Sequence, residues 1–383
     1  MPKEAQREKP PTRAGKTCLT DIIHATRDYE SWLGGHVPVI PADLRLKHQR
    51  MAEGPFSFFR ATFYRWVQLW PQVCAESATA PWILSVGDLH VENFGTWRDS
   101  EGRLIWGVND FDEAAWMPYT NDLVRLVASA RLGIAENHLS CNPQDAVDAI
   151  QDGYQEGLAA GGAPFVLAEQ HRWLRELAVS ELRDPSAYWK KLDQLPTVRA
   201  SVPAAVKAAL NHALPERGLA YRVVHRRAGL GSLGRRRFTA VAEWRGGRIA
   251  REAKELVGSA WHWEQKRQDE TEILYQRIIS QAVRVRDPFV SLHEHWLIRR
   301  LAPDCRRIEL GSLPKTGDEL KLLHAMGWET ANVHIGTKGA VRRVLLDLKK
   351  RPAKWLRRGA ESMAKPIIDD WKSWAKSCHH SGQ

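Results

Sequence analysis

Cysteine is scarce and scattered in this chain. Cys18, Cys74, Cys141, Cys305 and Cys378 make an odd number with no C-x-x-C pair, which argues against a disulfide framework or a thiolate zinc site and reads as free thiols. Long apolar runs are missing too. No stretch approaches the roughly 18 apolar residues of a membrane helix, and the polar, charged start lacks the apolar core of a secretory signal. The expectation is a cytoplasmic chain with no membrane insertion. Internal repeats and low-complexity blocks are absent, and acidic residues are in the minority: 45 against 56 basic ones, a formal charge of +11. That surplus favours a polyanionic partner such as nucleotide phosphates or nucleic acid, without choosing between them. With 383 residues, 43% hydrophobic and 26% charged, the chain can bury a sizeable core and is not a disordered or fibrous sequence.

Residues 1–45, with prolines and mixed charge, read as an extended N-terminal arm. From 56 to 70 the run FSFFRATFYRWVQLW has helical apolar spacing and meets Pro71, predicting one buried amphipathic helix. Short strands follow at 83–86 and 104–108, each running into acidic residues, and are expected to lie side by side. Helical periodicity occupies 122–134, 143–158 and 164–183, and continues alanine-rich to about 215. At Tyr221 the character changes to strand-like alternation broken by turns, predicting three consecutive antiparallel strands. A helix over 261–283, strands near 289–292 and 295–301, and a basic helical tail over 315–332 and 341–376 complete the reading.

The chemistry concentrates in GDLHVENFG at 87–95 and NDFDE at 109–113. Phosphoryl transfer asks little covalent help of a protein: a carboxylate to orient or deprotonate the attacking hydroxyl, and oxygen ligands to hold magnesium on the phosphates. In the protein-kinase pattern a catalytic Asp is followed five positions later by a metal-binding Asn, and a second metal-binding Asp comes on the next strand. Asp88, Asn93 and Asp110 stand in that order and at that first spacing, with D-F-D in place of D-F-G. Taken singly, each carboxylate also fits a helix cap or a turn.

GLGSLG at 229–234 supplies Gly229, Gly231, Ser232 and Gly234 in a G-x-G-x-x-G arrangement, and Lys254 follows on the expected third strand. A dinucleotide-binding turn would need a helix directly after the glycines. Instead RRRFTAVAEW alternates, which favours a strand hairpin with a flexible flap over phosphates, although an ordinary hairpin and a solvated lysine remain open. Glu264, Glu270 and Glu272 are the glutamates that could meet Lys254, and Glu272 is preferred. His90 reads as a loop-supporting residue, and Glu92 and Glu113 as solvated or indirect supports. Tryptophans such as Trp66, Trp70, Trp371 and Trp374 sit at core-like helical spacing, and the basic clusters at 235–237, 349–351 and 357–358 have no recognition module around them.

The stretch over 87–113 closely resembles the aminoglycoside phosphotransferase branch of the protein-kinase-like fold, with its H-G-D-x-H-x-x-N and I-D-F-D signatures. That resemblance implies Asp88 as catalytic base, Asn93 and Asp110 as metal ligands, and Asp122 as the start of a helix buttressing the catalytic loop. Val86 departs from it, standing where the branch usually has His. The glycine loop and lysine come after the catalytic loop here, the reverse of the ordinary kinase order, and a circular permutation reconciles this. With PFSFFR, NDLVRL, REAKE and ETANVH added, the arrangement looks like the bacterial domain-of-unknown-function family 2252 over about 51–334; the late segment departs from the Ala-His ending expected there, with His334 a candidate for that His position, and the roles of Arg60 and His334 are open.

The expected fold is therefore α+β: a two-lobed, circularly permuted protein-kinase-like fold, with a small antiparallel β lobe and a larger helical lobe. The N-terminal arm at 1–45 would be followed by a helical lobe with the catalytic and metal loops at 46–215. The β lobe would occupy 216–302, a hinge would lie near 302–304, and helices at 303–383 would return to the helical lobe. The expected function is an ATP- and magnesium-dependent phosphotransferase acting on an unknown, small-molecule hydroxyl acceptor, with transfer of AMP from ATP bound in reverse a variant of the same class. Asp88 would be catalytic, Asn93 and Asp110 would bind metal, and Gly229, Gly231, Ser232, Gly234, Lys254 and Glu272 would bind the nucleotide. The alternative is a non-catalytic nucleotide-binding or regulatory module whose basic surface binds nucleic acid or another polyanion.

Overall fold

In the computed structural model, residues 20–167, 171–180, 185–198, 202–265, 271–305 and 318–381 are described. Helix α1 (Ile22–His36) starts at Asp21, whose carboxylate accepts from the amides of Ile23 and His24, satisfying first-turn donors. Helix α2 (Pro41–Ala52) begins on a proline, which loses no hydrogen bond there. The expected extended arm is thus helical from Ile22 onward. Ile22, Ala25, Tyr29 and Leu33 recur at helical spacing and are buried, so the apolar stripe outweighs the prolines, which separate two helices.

The single helix expected over 56–70 is two, α3 (Pro55–Ala61) and α4 (Phe63–Val73). The break is Thr62, at φ −124° and ψ 46°, whose hydroxyl donates to the Phe58 carbonyl at 2.7 Å; such a side chain competes with the helical backbone. Pro71 lies inside α4 instead of ending it. A short α5 (Ala75–Ala78) leads to β1 (Trp82–Ser85).

Strand β2 (Phe94–Arg98) forms an antiparallel hairpin with β3 (Leu104–Val108), β1 pairs with β4 (Ala115–Pro118), and β3 also carries β5 (Phe165–Val166). The two strands expected at 83–86 and 104–108 exist, but in separate sheets. Their acidic ends still meet, because the chain after β1 turns into β2 and the chain after β3 turns back into β4. Helices α6 (Thr120–Ala135) and α7 (Pro143–Ala160) lie where periodicity placed them, whereas the expected 164–183 helix opens with β5 and becomes α8 (Arg172–Ser180). Then come α9 (Pro185–Asp193) and α10 (Ala204–Ala213).

A five-stranded antiparallel sheet comprises β6 (Arg222–Val224), β7 (Arg237–Trp244), β8 (Gly247–Glu255), β9 (Ser291–His293) and β10 (Trp296–Leu301), in the order β6-β7-β8-β10-β9. Its side chains alternate between faces. On one face Phe238, Ala240, Ala253, Trp296 and Ile298 pack against Val206 and Leu210 of α10. On the other, Val224, Val241, Ala250 and Leu301 pack against Leu192 of α9. The polar positions on that second face are Arg237, Thr239, Glu252, Lys254 and Arg299.

The helix expected over 261–283 is present as α11 (Ala260–Glu264) and α12 (Tyr275–Gln281), and 266–270, including Glu270, lies outside the described residues. Helix α13 (Glu319–Ile335) crosses α7 so closely that a Cβ on Gly327 would come 2.1 Å from the Ile150 carbonyl oxygen. After α14 (Ala340–Leu348), the long α15 (Trp355–Ser381) docks on the helical core. Arg65 meets Asp370 at 2.7 Å, and the indole N–H groups of Trp371 and Trp374 donate to the carbonyls of Ala52 and His48. The tail tryptophans are thus packing residues, and the chain is a mixed α+β fold with small antiparallel sheets.

Candidate active site

The polar face of the five-stranded sheet, the loop after β1 and the loop after β3 enclose a cleft of about 530 Å³, within the range of small-molecule sites. Asp88, Asn93 and Asp110 line it together with Gly229, Gly231 and Ser232. Residues far apart in sequence therefore converge on one space.

The β1 loop is held from below. Asp122, fully buried in the first turn of α6, accepts from the amides of Val86 at 2.7 Å and Gly87 at 2.9 Å. His334 of α13 donates from Nε2 to Asp122 at 3.0 Å and takes the Tyr154 hydroxyl on Nδ1 at 2.9 Å. His334 thus supports the loop through Asp122 rather than from the Val86 position. Gly87 is needed for its shape: it has φ +85°, and a Cβ there would lie 2.3 Å from the Glu113 carbonyl oxygen, in a region that suits glycine.

Asp88 is gripped by Arg125, three residues after Asp122 on the same side of α6. Arg125 reaches Oδ1 at 2.9 Å from Nε and 2.5 Å from Nη2. The guanidinium is itself fully buried, 4.0 Å from the Phe59 ring centre and 4.9 Å from those of Phe63 and Trp66. Burial raises the Asp88 pKa above its ordinary value, with Arg125 opposing, and a base near neutral pH gains from such a rise. The other oxygen, Oδ2, lies under Gly231, whose missing Cβ would be 3.6 Å away.

Asn93 ties the two loops together. Its Nδ2 donates to the carbonyls of Asp88 at 3.0 Å and Asp110 at 3.1 Å, and Oδ1 is then the amide's remaining ligand atom. Lys254 Nζ lies 3.0 Å from Asp110 Oδ2 and 2.5 Å from Asp112 Oδ2. Desolvation works to raise the Asp110 pKa, but the adjacent ammonium outweighs it and holds the carboxyl well below its usual value. Asp112 is raised instead, by burial and by Asp110.

Glu272, preferred as the partner of Lys254, is exposed before α12; the pairing goes to Asp112 because it is the residue that the β3–β4 turn presents to β8. The second Asp of D-F-D was the available signal. Glu264 closes the short α11. Glu92 and Glu113 are not solvated. Glu92 is buried and meets Arg60 at 2.6 Å, while Glu113 accepts from the Ala260 amide at 2.7 Å and the Ser259 hydroxyl at 3.0 Å, with burial pushing its pKa up to about 7. His90 accepts the Glu92 amide on Nδ1 at 3.2 Å, the loop-supporting role expected of it.

The glycine loop connects β6 to β7, as alternation predicted, but it is clasped rather than free. Ile40 donates to the Gly234 carbonyl at 2.8 Å, Asp43 of α2 binds His225 and Arg227 at 2.8 and 2.7 Å, and Arg237 donates to the Ser232 hydroxyl at 2.6 Å. Gly234, at φ +101°, packs so near α2 that a Cβ would lie 2.5 Å from Leu44. A 3-10 turn over Leu230–Ser232 spends the amides of Ser232 and Leu233 on the loop's own carbonyls. Lys47 of α2 was not foreseen. Its side chain is buried at the cleft wall, with Nζ 3.4 Å from the Gly231 carbonyl and 5.6 Å from the Tyr64 ring centre. Burial pushes its pKa down to about 8.

Residues 39–187 match the model of a family described as an uncharacterized protein conserved in bacteria, DUF2252. The match includes the β1 and β3 loops and stops short of the glycine loop and Lys254. No curated protein and no solved structure matches the chain.

Proposed function

We propose that the protein is an ATP- and magnesium-dependent transferase of protein-kinase-like architecture that moves a phosphorus-containing group of ATP to a hydroxyl acceptor. The single observation that carries this reading is the joint position of four separated residues: Lys254 on Asp110, Asn93 bridging the Asp88 and Asp110 backbones, and Asp88 beneath the glycine loop. Phosphate-transfer sites need a carboxylate at the acceptor, oxygen ligands for magnesium and a cation at the phosphates.

The donor set fits magnesium only together with a nucleotide. Among the described residues no cluster of three or more His, Cys, Asp or Glu could hold a metal, and magnesium is commonly held by one or two protein oxygens plus phosphates. Asp110 and Asn93 Oδ1 would hold the ion, which would offset phosphate charge. Asp88 Oδ2 orients the acceptor hydroxyl and takes up its proton, and Arg125 keeps the carboxylate aimed. Lys254 meets a phosphate through the same Nζ that now meets Asp110.

In support, the five-stranded sheet with its glycine loop between β6 and β7 and its lysine on β8 corresponds to a kinase β lobe. On this reading the helical remainder would be the second lobe, with the chain order permuted and the connection at 302–304. A small-molecule acceptor and a cytoplasmic location complete the proposal. Phosphorus NMR of ATP with magnesium tests it: the wild type converts ATP slowly with water as acceptor, and Asp88→Asn slows this about a hundredfold or more. Equal rates in both proteins would overturn it.

A further inference from the structure

On the cleft face of the sheet, one step along β8 from Lys254, Glu252 is completely buried and surrounded by three guanidinium groups. Arg226 approaches at 3.1 Å, Arg237 at 2.8 Å and Arg299 at 2.7 Å. All three arginines line the cleft. Lys254 has two carboxylates, Asp110 and Asp112, whereas this neighbouring group has three cations for one. Burial lowers the Arg237 pKa to about 10, with Glu252 opposing and Arg299 and Arg226 adding to the fall, whereas at Arg299 burial is outweighed by Glu252 and Asp110, which hold it above its ordinary value.

Surplus buried positive charge calls for a further anion, and the planar guanidinium fork matches phosphate oxygens. Thr239 and Arg299 are the cross-strand partners of Glu252, so the polar row runs across β7, β8 and β10. The glycine loop strengthens the point, since two of its amides are already used internally and side-chain cations must do more of the phosphate binding.

We infer that Arg226, Arg237 and Arg299 form a pyrophosphate subsite for the β- and γ-phosphates of a nucleoside triphosphate, so that the α-phosphorus faces Asp88 and the transferred group is nucleotidyl. The inference rests on the transferase reading above and specifies its reaction. The acceptor hydroxyl oxygen bonds to the α-phosphorus, the bond from that phosphorus to the oxygen bridging to the β-phosphorus breaks, and pyrophosphate leaves on the arginine row. The hydroxyl proton passes to Asp88 Oδ2 and from there to solvent.

Calorimetric titration with inorganic pyrophosphate, ATP and AMP, each with magnesium, tests this. Pyrophosphate binds the wild type and competes with ATP. Arg226→Gln keeps Arg237 and Arg299 on Glu252, so the sheet stays paired, yet it weakens pyrophosphate and ATP about tenfold, the scale of one charged hydrogen-bond contact, and leaves AMP unchanged. Products of prolonged incubation with ATP are AMP and pyrophosphate. ATP binding without pyrophosphate competition, indifference to Arg226→Gln, or release of ADP and phosphate overturns the subsite while leaving the transferase reading intact. Failure of ATP itself to bind overturns both.

Discussion

Lys254 and Asp112 approach to 2.5 Å, although the residue on which the kinase-like reading centres is Asp110. Asp112 also accepts from Arg235 at 2.9 Å. It therefore anchors two buried cations and leaves Asp110, 42% exposed at its side chain, facing the cleft. One carboxylate of D-F-D holds the sheet to the loop, and the other is open to the cleft.

Asp112→Leu follows from that division. It leaves Lys254 and Arg235 buried with one counter-charge fewer, and removing one partner of such a pair costs about 3–5 kcal/mol. Urea denaturation is expected to show a loss of that order. Asp110→Asn, whose side chain is solvent-accessible and whose lysine keeps Asp112, is expected to unfold close to the wild-type midpoint.

The Asp122 carboxylate is the keystone of the β1 loop, since it serves two buried amides and His334. Asp122→Ala strands the Val86 and Gly87 N–H groups, at about 1–3 kcal/mol each. His334→Ala spares those amides and gives up its own hydrogen bonds to Asp122 and Tyr154, so it should cost less stability while loosening the aim of Asp88. Melting curves check the order; an Asp122→Ala protein as stable as His334→Ala would contradict it.

Stability should pass through a trough near pH 7 to 8. Glu113 and Glu329 are buried, with pKa values pushed up from 4.5 to about 7. A raised carboxyl stabilises the fold below its unfolded pKa and loses that contribution as pH rises through the folded one, about 3 kcal/mol for each. Lys47, lowered from 10.5 to about 8, works oppositely: its neutral form is favoured in the fold, so stability climbs again between about pH 8 and 10.5. Lys47→Met should remove the upper limb and raise stability at pH 7.5 by as much as about 3 kcal/mol, while impairing the cleft. A flat profile in chemical denaturation from pH 5 to 10 would exclude these assignments.

Much of this was legible in the chain because it rested on periodicity or on short fixed spacings. Alternation from Tyr221 announced β6, β7 and β8, and the five-residue interval from Asp88 to Asn93 placed both in one loop. What stayed hidden depended on tertiary approach. Helical apolar spacing over 22–33 was present but obscured by prolines and charge, and the Thr62 break came from one hydroxyl. The partner of Lys254 could not be chosen by counting from 254, because Asp112 reaches it from another sheet. Nothing in the local pattern singles out Lys47 or Arg125, which only packing buries. In hindsight the i, i+3 spacing of Asp122 and Arg125 put both beneath the β1 loop.

The most direct test of the account is thermal unfolding of wild type and Asp110→Asn with ATP, with and without magnesium. A ligand that binds only the folded state raises stability in proportion to RT ln(1 + [L]/Kd). The account predicts a rise with ATP and magnesium together, little with either alone, and none in Asp110→Asn. An unchanged wild-type midpoint at millimolar ATP and magnesium, or an equal rise in Asp110→Asn, would contradict it.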